Sequence, residues 1–174
     1  MIFQRVWSMP NKNTFQMKPV QSLILKYFND QQLWIDPFAR NQKLNCITND
    51  LNPNCKTDHN LESLDFLKLF ENESVDGVLF DPPYSPRQIK ESYESIGLKA
   101  SQKDTQSKFW SDRKNEIQRI LKPNGLVISF GWNSNGLGIN RNFQKLEIVL
   151  VAHGGQHNDT ICLVEQKLNI QDQK

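Results

Sequence analysis

Residues 76–84 read Asp-Gly-Val-Leu-Phe-Asp-Pro-Pro-Tyr. A short apolar run that stops abruptly at turn-forming residues predicts a buried strand over Asp76–Phe80. Pro82 and Pro83 end it, because each fixes its own φ and lacks an N–H for the sheet ladder. What remains at the end of the strand is a carboxylate, free carbonyl oxygens and an aromatic ring. Such an acceptor-rich pocket with a flat wall suits a planar group carrying –NH2, such as adenine or cytosine. The competing reading is a plain strand-to-loop turn.

Working outward, the same pattern recurs. Leu33-Trp34-Ile35 predicts a strand stopping at Asp36-Pro37, and Cys46-Ile47-Thr48 a strand stopping at Asn49-Asp50. A weak strand is expected near Asp58–Leu61. Downstream, Leu126–Phe130 is a further strand. Leu146–Ala152 and Thr160–Glu165 form an antiparallel pair joined through His153-Gly154-Gly155. Helices are expected over Pro19–Phe28 (Val20, Leu23, Ile24 and Tyr27 at helical spacing), over Ser63–Phe70, and through Ile117, Ile120 and Leu121. Lys122-Pro123-Asn124-Gly125 reads as a turn, Gly131–Asn140 as a loop, and the polar Met1–Pro19 as irregular. Short apolar strands separated by helices imply an α/β fold: a mostly parallel seven-stranded sheet with an antiparallel terminal strand pair. Ligands of such sheets bind beyond the carboxyl ends of the strands. Asp36, Asp50 and Asp81 therefore converge on one edge.

Composition excludes other classes. The chain has 174 residues, 37% hydrophobic and 23% charged, which suits one domain with a real core. No run of roughly 18 apolar residues exists, so no membrane helix is expected. Met1–Pro10 carries one Arg and no long apolar region, unlike a secretory leader. Three scattered cysteines, Cys46, Cys55 and Cys162, without Cys-x-x-Cys, suit a reduced, cytoplasmic setting. The net charge of +2 argues neither for nor against nucleic acid.

Taken in order, these motifs resemble those of the S-adenosylmethionine-dependent amino-methyltransferases, and among them the DNA adenine-N6 methyltransferases, in a compact, orphan, phage-type form. Asp81-Pro82-Pro83-Tyr84 matches their Asp-Pro-Pro-Tyr motif, Asp36-Pro37-Phe38-Ala39-Arg40 the front half of Asp-Pro-Phe-x-Gly-x-Gly, and Phe15-Gln16-Met17-Lys18-Pro19 an upstream Phe-x-x-Lys-Pro. Lys122-Pro123-Asn124-Gly125 is similar to their Lys-Pro-Gly-Gly turn. The resemblance implies a Rossmann-like class I methyltransferase fold in a single domain over 1–174. It implies an N-terminal segment 1–19, a substrate-facing insertion at 85–115, and no separate target-recognition domain. It implies Asp81, Pro82, Pro83 and Tyr84 as catalytic residues, and S-adenosyl-L-methionine as cofactor without a metal. The cofactor would be held by Phe15, Lys18, Asp36, Pro37, Phe38, Ala39, Arg40, Asp50 and Glu62, with Asp65 as the alternative to Glu62. Lys18 also reads as a solvated helix-start lysine, and Asp50 as a turn-former.

Two departures stand out. Arg40 and Asn41 replace the glycines of the first motif, and Arg40 is expected to contact the cofactor carboxylate. Only Asn41–Asn45 separate that motif from the next strand, too few for a crossover helix of at least about ten residues.

Secondary signals are weaker. Pro86–Lys122 holds Arg87, Lys90, Lys99, Lys103, Lys108, Arg113, Lys114, Arg119 and Lys122, with Tyr93, Phe109 and Trp110 interleaved. That suits either phosphate tracking and base stacking or a solvated helical face. Gly131–Gly138 resembles a phosphate-cradling loop but lacks the motif spacing, and Trp132 within it suits either the base pocket or the core. His153, His157 and Asp159 do not form a convincing metal set. The expected partner is DNA, with a homodimer or a partner subunit supplying target recognition. RNA adenine, cytosine N4, and a non-catalytic cofactor- or nucleic-acid-binding subunit are the alternatives.

Overall fold

The computed structural model describes residues 1–101 and 106–169; Lys103 lies outside them. In chain order the strands are β1 (Ile2–Trp7), β2 (Trp34–Asp36), β3 (Ile47–Thr48), β4 (Val75–Phe80), β5 (Leu121–Gly131), β6 (Phe143–Ala152) and β7 (Thr160–Lys167). The helices are α1 (Lys18–Tyr27), α2 (Ser63–Leu67), α3 (Pro86–Glu94) and α4 (Lys108–Ile120). One seven-stranded sheet runs β1-β6-β7-β5-β4-β2-β3. Only β7 runs against its neighbours β5 and β6.

Alternation along the strands divides the core into two layers. Trp34, Leu79, Ile128, Val149 and Val164 face α1, where Val20, Leu23 and Ile24 are buried. Ile35, Val78, Phe80 and Val127 face the opposite layer, where Phe66 and Leu67 of α2 meet Ile117 and Ile120 of α4. A sheet covered on both faces needs apolar side chains on both, which is why its strands read as unbroken apolar runs. Trp34 lies flat over β4: a Cβ added at Gly77 would stand 2.3 Å from its indole, so only glycine fits there. No helix among the described residues is long and apolar enough to cross a membrane.

The sheet has seven strands, but not the seven expected. Met1–Pro19 is not irregular throughout, since β1 pairs in parallel with β6 from Ile2↔Glu147 to Trp7↔Ala152. It is an edge strand with mostly exposed side chains, so no periodic burial pattern marks it. The strand expected at Asp58–Leu61 is a single bridge, Asn49↔His59. The helix expected over Ser63–Phe70 ends at Leu67. Lys122–Gly125 does not interrupt the sheet as a separate turn but is a bulge within β5, where pairing jumps from Val75↔Leu121 to Gly77↔Leu126 and Asn124 has φ +64°. The charged stretch after Tyr84 contains a further helix, α3, started by Pro86 at its first turn and capped by the Ser85 side chain.

The short β2–β3 connection contains no helix, and the two strands still pair in parallel through Ile35↔Ile47. Asn49, fully buried, makes this work. Its Nδ2 donates to the carbonyls of Pro37 (3.1 Å) and Leu61 (3.0 Å), and its Oδ1 accepts from the Leu61 N–H. One side chain thus satisfies buried backbone groups of the loop after β2 and of the segment that leads into α2, tying the two together.

Candidate active site

The carboxyl ends of β2, β3 and β4 open into one cleft of about 1180 Å³. Its walls are the N-terminal strap Asn11–Met17, the loop after β2, Asp50 after β3, and Asp81–Tyr84 after β4. Phe15, Pro37, Phe38, Ala39, Arg40, Asp50, Glu62, Asp81, Pro82, Pro83 and Tyr84 all line it. Asp36 lies fully buried at the end of β2 and does not line the cleft. Lys18 sits exposed at the first position of α1 and does not reach the lining either. Between Glu62 and Asp65, only Glu62 faces the cleft; Asp65 is exposed and paired with Lys68.

The Asp81–Tyr84 segment is held from both sides. The Tyr84 hydroxyl donates to Asp81 Oδ1 at 2.5 Å, and the Tyr84 N–H donates to Gln88 Oε1 of α3 at 2.6 Å. Trp110 Nε1 of α4 donates to the Pro83 carbonyl at 3.0 Å. Among the described residues no donor reaches the Pro82 carbonyl. Desolvation raises the pKa of Asp81, opposed by hydrogen bonds from Tyr84 and Thr14 and by the charge of Arg40. Burial, with the neighbouring Asp81 charge, pushes the Tyr84 phenol far up, so it stays a donor. The Tyr84 ring stands edge-on to Trp132, centroids 5.5 Å apart, and Trp132 is 41% exposed.

At the other end of the cleft, Phe15 packs on Phe130 (5.0 Å) and Phe38 on Phe80 (6.0 Å), fixing strap and loop to the sheet. Asp36 Oδ1 accepts from the Phe38 N–H at 3.0 Å, while its Oδ2 is buried with no hydrogen-bond partner among the described residues. Burial raises the Asp36 pKa well above the usual carboxylate range, and Asp81 and Asp50 push it the same way. Asp50 accepts from the N–H groups of Arg40 and Asn52, both at 2.9 Å. Arg40 stands where the resembled motif has its first glycine and has φ +51°, so the glycine conformation survives without the glycine. Its guanidinium is engaged with the Lys12 carbonyl at 2.5 Å.

Thr14 and Gln88 shape the site without any signal in the sequence, while Asn49 reads there only as a strand-ending residue and Trp110 only as an aromatic within the basic stretch. Glu62 caps α2 by accepting from the Leu64 N–H at 3.0 Å. It is also gripped by Arg113 Nη2, at 2.7 and 2.6 Å to its two oxygens, and receives the Tyr93 hydroxyl at 3.2 Å.

Arg113 is therefore buried structure rather than a phosphate-facing group. Arg87, Lys90, Lys108, Arg119 and Lys122 are likewise ion-paired, to Glu91, Glu94, Asp112, Glu116 and Asp76. Most of the basic stretch thus behaves as the solvated, self-neutralised helical face. The glycine loop after β5 is no phosphate cradle, because the Leu137 and Gly138 N–H groups already donate to the buried Glu165 carboxylate at 2.6 and 3.0 Å. His153 spends Nδ1 on the Ser8 carbonyl and Nε2 on Thr160 Oγ1.

The chain matches no family model. Nor does any curated protein match it. Similarity emerges in three dimensions. A 1,6-didemethyltoxoflavin-N1-methyltransferase of Burkholderia thailandensis, whose structure contains 1,6-didemethyltoxoflavin and S-adenosylhomocysteine, superposes with a TM-score of 0.57 at 10% identity, over 87% of this chain and 78% of that one. TrmN from Thermus thermophilus gives 0.57 at 16% identity, over 87% of this chain and 49% of that one. A SAM-dependent methyltransferase of Methanosarcina mazei gives 0.54 at 11% identity, over 84% and 97%. At such identities the likeness establishes architecture: the fold is the Rossmann-like fold of class I methyltransferases.

Proposed function

We propose that the protein is an S-adenosylmethionine-dependent methyltransferase that transfers a methyl group to the exocyclic N6 of adenine in DNA. The observation that carries this reading is a pair of acceptors on the cleft wall. The Asp81 carboxylate, held by the Tyr84 hydroxyl, and Pro82, whose carbonyl receives no hydrogen bond among the described residues, line the cleft together with Tyr84. Two acceptors match the two N–H donors of an aromatic amine, and the ring offers a stacking wall.

The cleft also fits the cofactor. Its volume exceeds that of ordinary small-molecule pockets, and acidic groups line its β2–β3 end. Asp50 would take the ribose hydroxyls, and the backbone around Phe38 and Ala39 the methionine part. When bound, S-adenosylmethionine supplies a methyl group already activated on a sulfonium.

An adenine amine is a poor nucleophile because its lone pair is delocalised into the ring. Hydrogen bonds to Asp81 and Pro82 favour a pyramidal nitrogen whose lone pair can attack. Asp81, with its pKa raised by burial, is suited to receive the proton the methylated nitrogen sheds. Positioning and electrostatics carry the rest. A duplex substrate must flip its base to reach this pocket.

The test is transfer of labelled methyl to DNA, followed by digestion to identify N6-methyladenine. Asp81→Ala should abolish transfer while cofactor affinity, measured by calorimetry, stays within about tenfold. Equal loss of both would make Asp81 a cofactor ligand and remove the proposal. Labelled cytosine, or transfer to RNA alone, would redirect it to the corresponding amine.

A further inference from the structure

The N-terminal strap is anchored at both ends, by the Ser8 N–H on the Ala152 carbonyl and by Phe15 on Phe130, but little holds the stretch between them. Residues 10–13 are folded on themselves: the Asn13 N–H donates to Asn11 Oδ1 at 2.9 Å, and Asn11 Nδ2 donates to Gln16 Oε1 at 3.3 Å. Among the described residues their one hydrogen bond to a distant part of the chain is Arg40 Nη1 to the Lys12 carbonyl, at 2.5 Å. At its far end the strap reaches the reaction centre, because Thr14 Oγ1 lies 3.5 Å from the Tyr84 hydroxyl that holds Asp81.

Arg40 itself is fixed from the opposite side. Its N–H donates to Asp50 Oδ2 at 2.9 Å, and its backbone sits at φ +51°, which side-chain-bearing residues rarely adopt. An arginine at a glycine-type position gains nothing locally. What it gains is reach, since its guanidinium spans from the Asp50 loop to the strap.

We propose that Arg40 is a positioning residue that clamps the strap Asn11–Thr14 across the cleft. One wall then serves both ends: Asp50 at the cofactor end and the Tyr84–Asp81 pair at the amine end. Arg40 acts through Lys12 and Thr14, so a direct contact between its guanidinium and the cofactor is not required. The inference rests on the proposed methyltransferase function only for its ligand-binding and kinetic readouts.

The experiment compares Arg40→Met, Arg40→Gly and Arg40→Lys in the full chain. Arg40→Gly relaxes the backbone, so its fold is secure even if Arg40→Met is impaired. Losing a charge-assisted hydrogen bond should speed amide exchange across residues 11–14 about tenfold in both, and weaken S-adenosylhomocysteine binding by a similar factor. In turnover, the KM for the cofactor should rise by a larger factor than kcat falls. Arg40→Lys should recover most of both effects, because one ammonium donor suffices for one carbonyl. Unchanged strap exchange in Arg40→Met and Arg40→Gly overturns the clamp, as does Arg40→Lys behaving like Arg40→Met. If the wild-type protein binds no S-adenosylhomocysteine, the functional reading fails, while strap exchange still decides the role of Arg40.

Discussion

Tyr84 donates its hydroxyl to Asp81 Oδ1 at 2.5 Å, so the carboxylate offered to a substrate amine is already oriented by the ring beside it. The two residues act as one unit. The hydroxyl sets the Asp81 rotamer and favours its ionised form, while the ring walls the pocket and leans on Trp132. An incoming amine must share Asp81 with this phenol or displace it.

Tyr84→Phe should therefore keep the wall and lose the brace. Burial raises the Asp81 pKa, and the Tyr84 hydrogen bond opposes that rise. Without the hydroxyl the pKa moves further up, so the acid limb of the kcat/KM profile should shift to higher pH. Tyr84→Ala should cost more, because base stacking on an aromatic contributes about 1–3 kcal/mol. Methyl-transfer rates across pH for both variants check this. An alanine variant as active as the phenylalanine one would dismiss stacking.

Asp36→Asn should stabilise the protein at neutral pH. The folded-state pKa of Asp36 is raised, chiefly by burial, and Oδ2 has no hydrogen-bond partner among the described residues. Below the unfolded value of about 3.9, both states hold the proton and Asp36 adds no pH dependence. Above it the unfolded chain ionises first, so the unfolded state binds fewer protons and stability falls as pH rises towards the folded pKa. Asparagine removes that slope. Denaturant unfolding from pH 4 to pH 8 should show the variant gaining on wild type as pH rises; a gap independent of pH would count against it.

The legible parts of this molecule were those written in consecutive residues. Asp76–Tyr84 announced both a strand and a site because its apolar run and its prolines are adjacent. The strand ends at Asp36 and Asp50 were readable for the same reason. β1 was not, since an exposed edge strand carries no burial pattern and is held by backbone pairing to β6, remote in sequence. Likewise Arg113 looked like a surface cation because nothing near it in sequence reveals Glu62. Arg40 looked like a broken motif because its positive φ is visible only in three dimensions.

Gly136→Ala should destabilise the glycine loop after β5. Gly136 has φ +57°, and a Cβ there would stand 2.1 Å from Glu165 Oε2. Glu165 is fully buried and holds Leu137 and Gly138 N–H, so it has no free direction in which to yield. Overpacking combined with an unfavourable φ should cost about 2–4 kcal/mol. Thermal unfolding would register the loss. A variant that unfolds at the wild-type temperature would mean that the loop repacks freely.

Arg113→Met tests whether Glu62 owes its place in the cleft to its partner. Arg113 is buried and also donates to Ser63 Oγ at 2.6 Å and to the Phe109 carbonyl at 2.8 Å. Removing it strands a carboxylate whose side chain is 30% exposed. Breaking a fully buried pair costs about 3–5 kcal/mol, and partial exposure should reduce this to about 2 kcal/mol. Replacing both residues, Arg113→Met with Glu62→Gln, should recover part of that loss, because no unpaired charge remains. A double-mutant cycle by denaturant unfolding measures the coupling. Strict additivity would show that the two side chains stabilise the cleft wall independently.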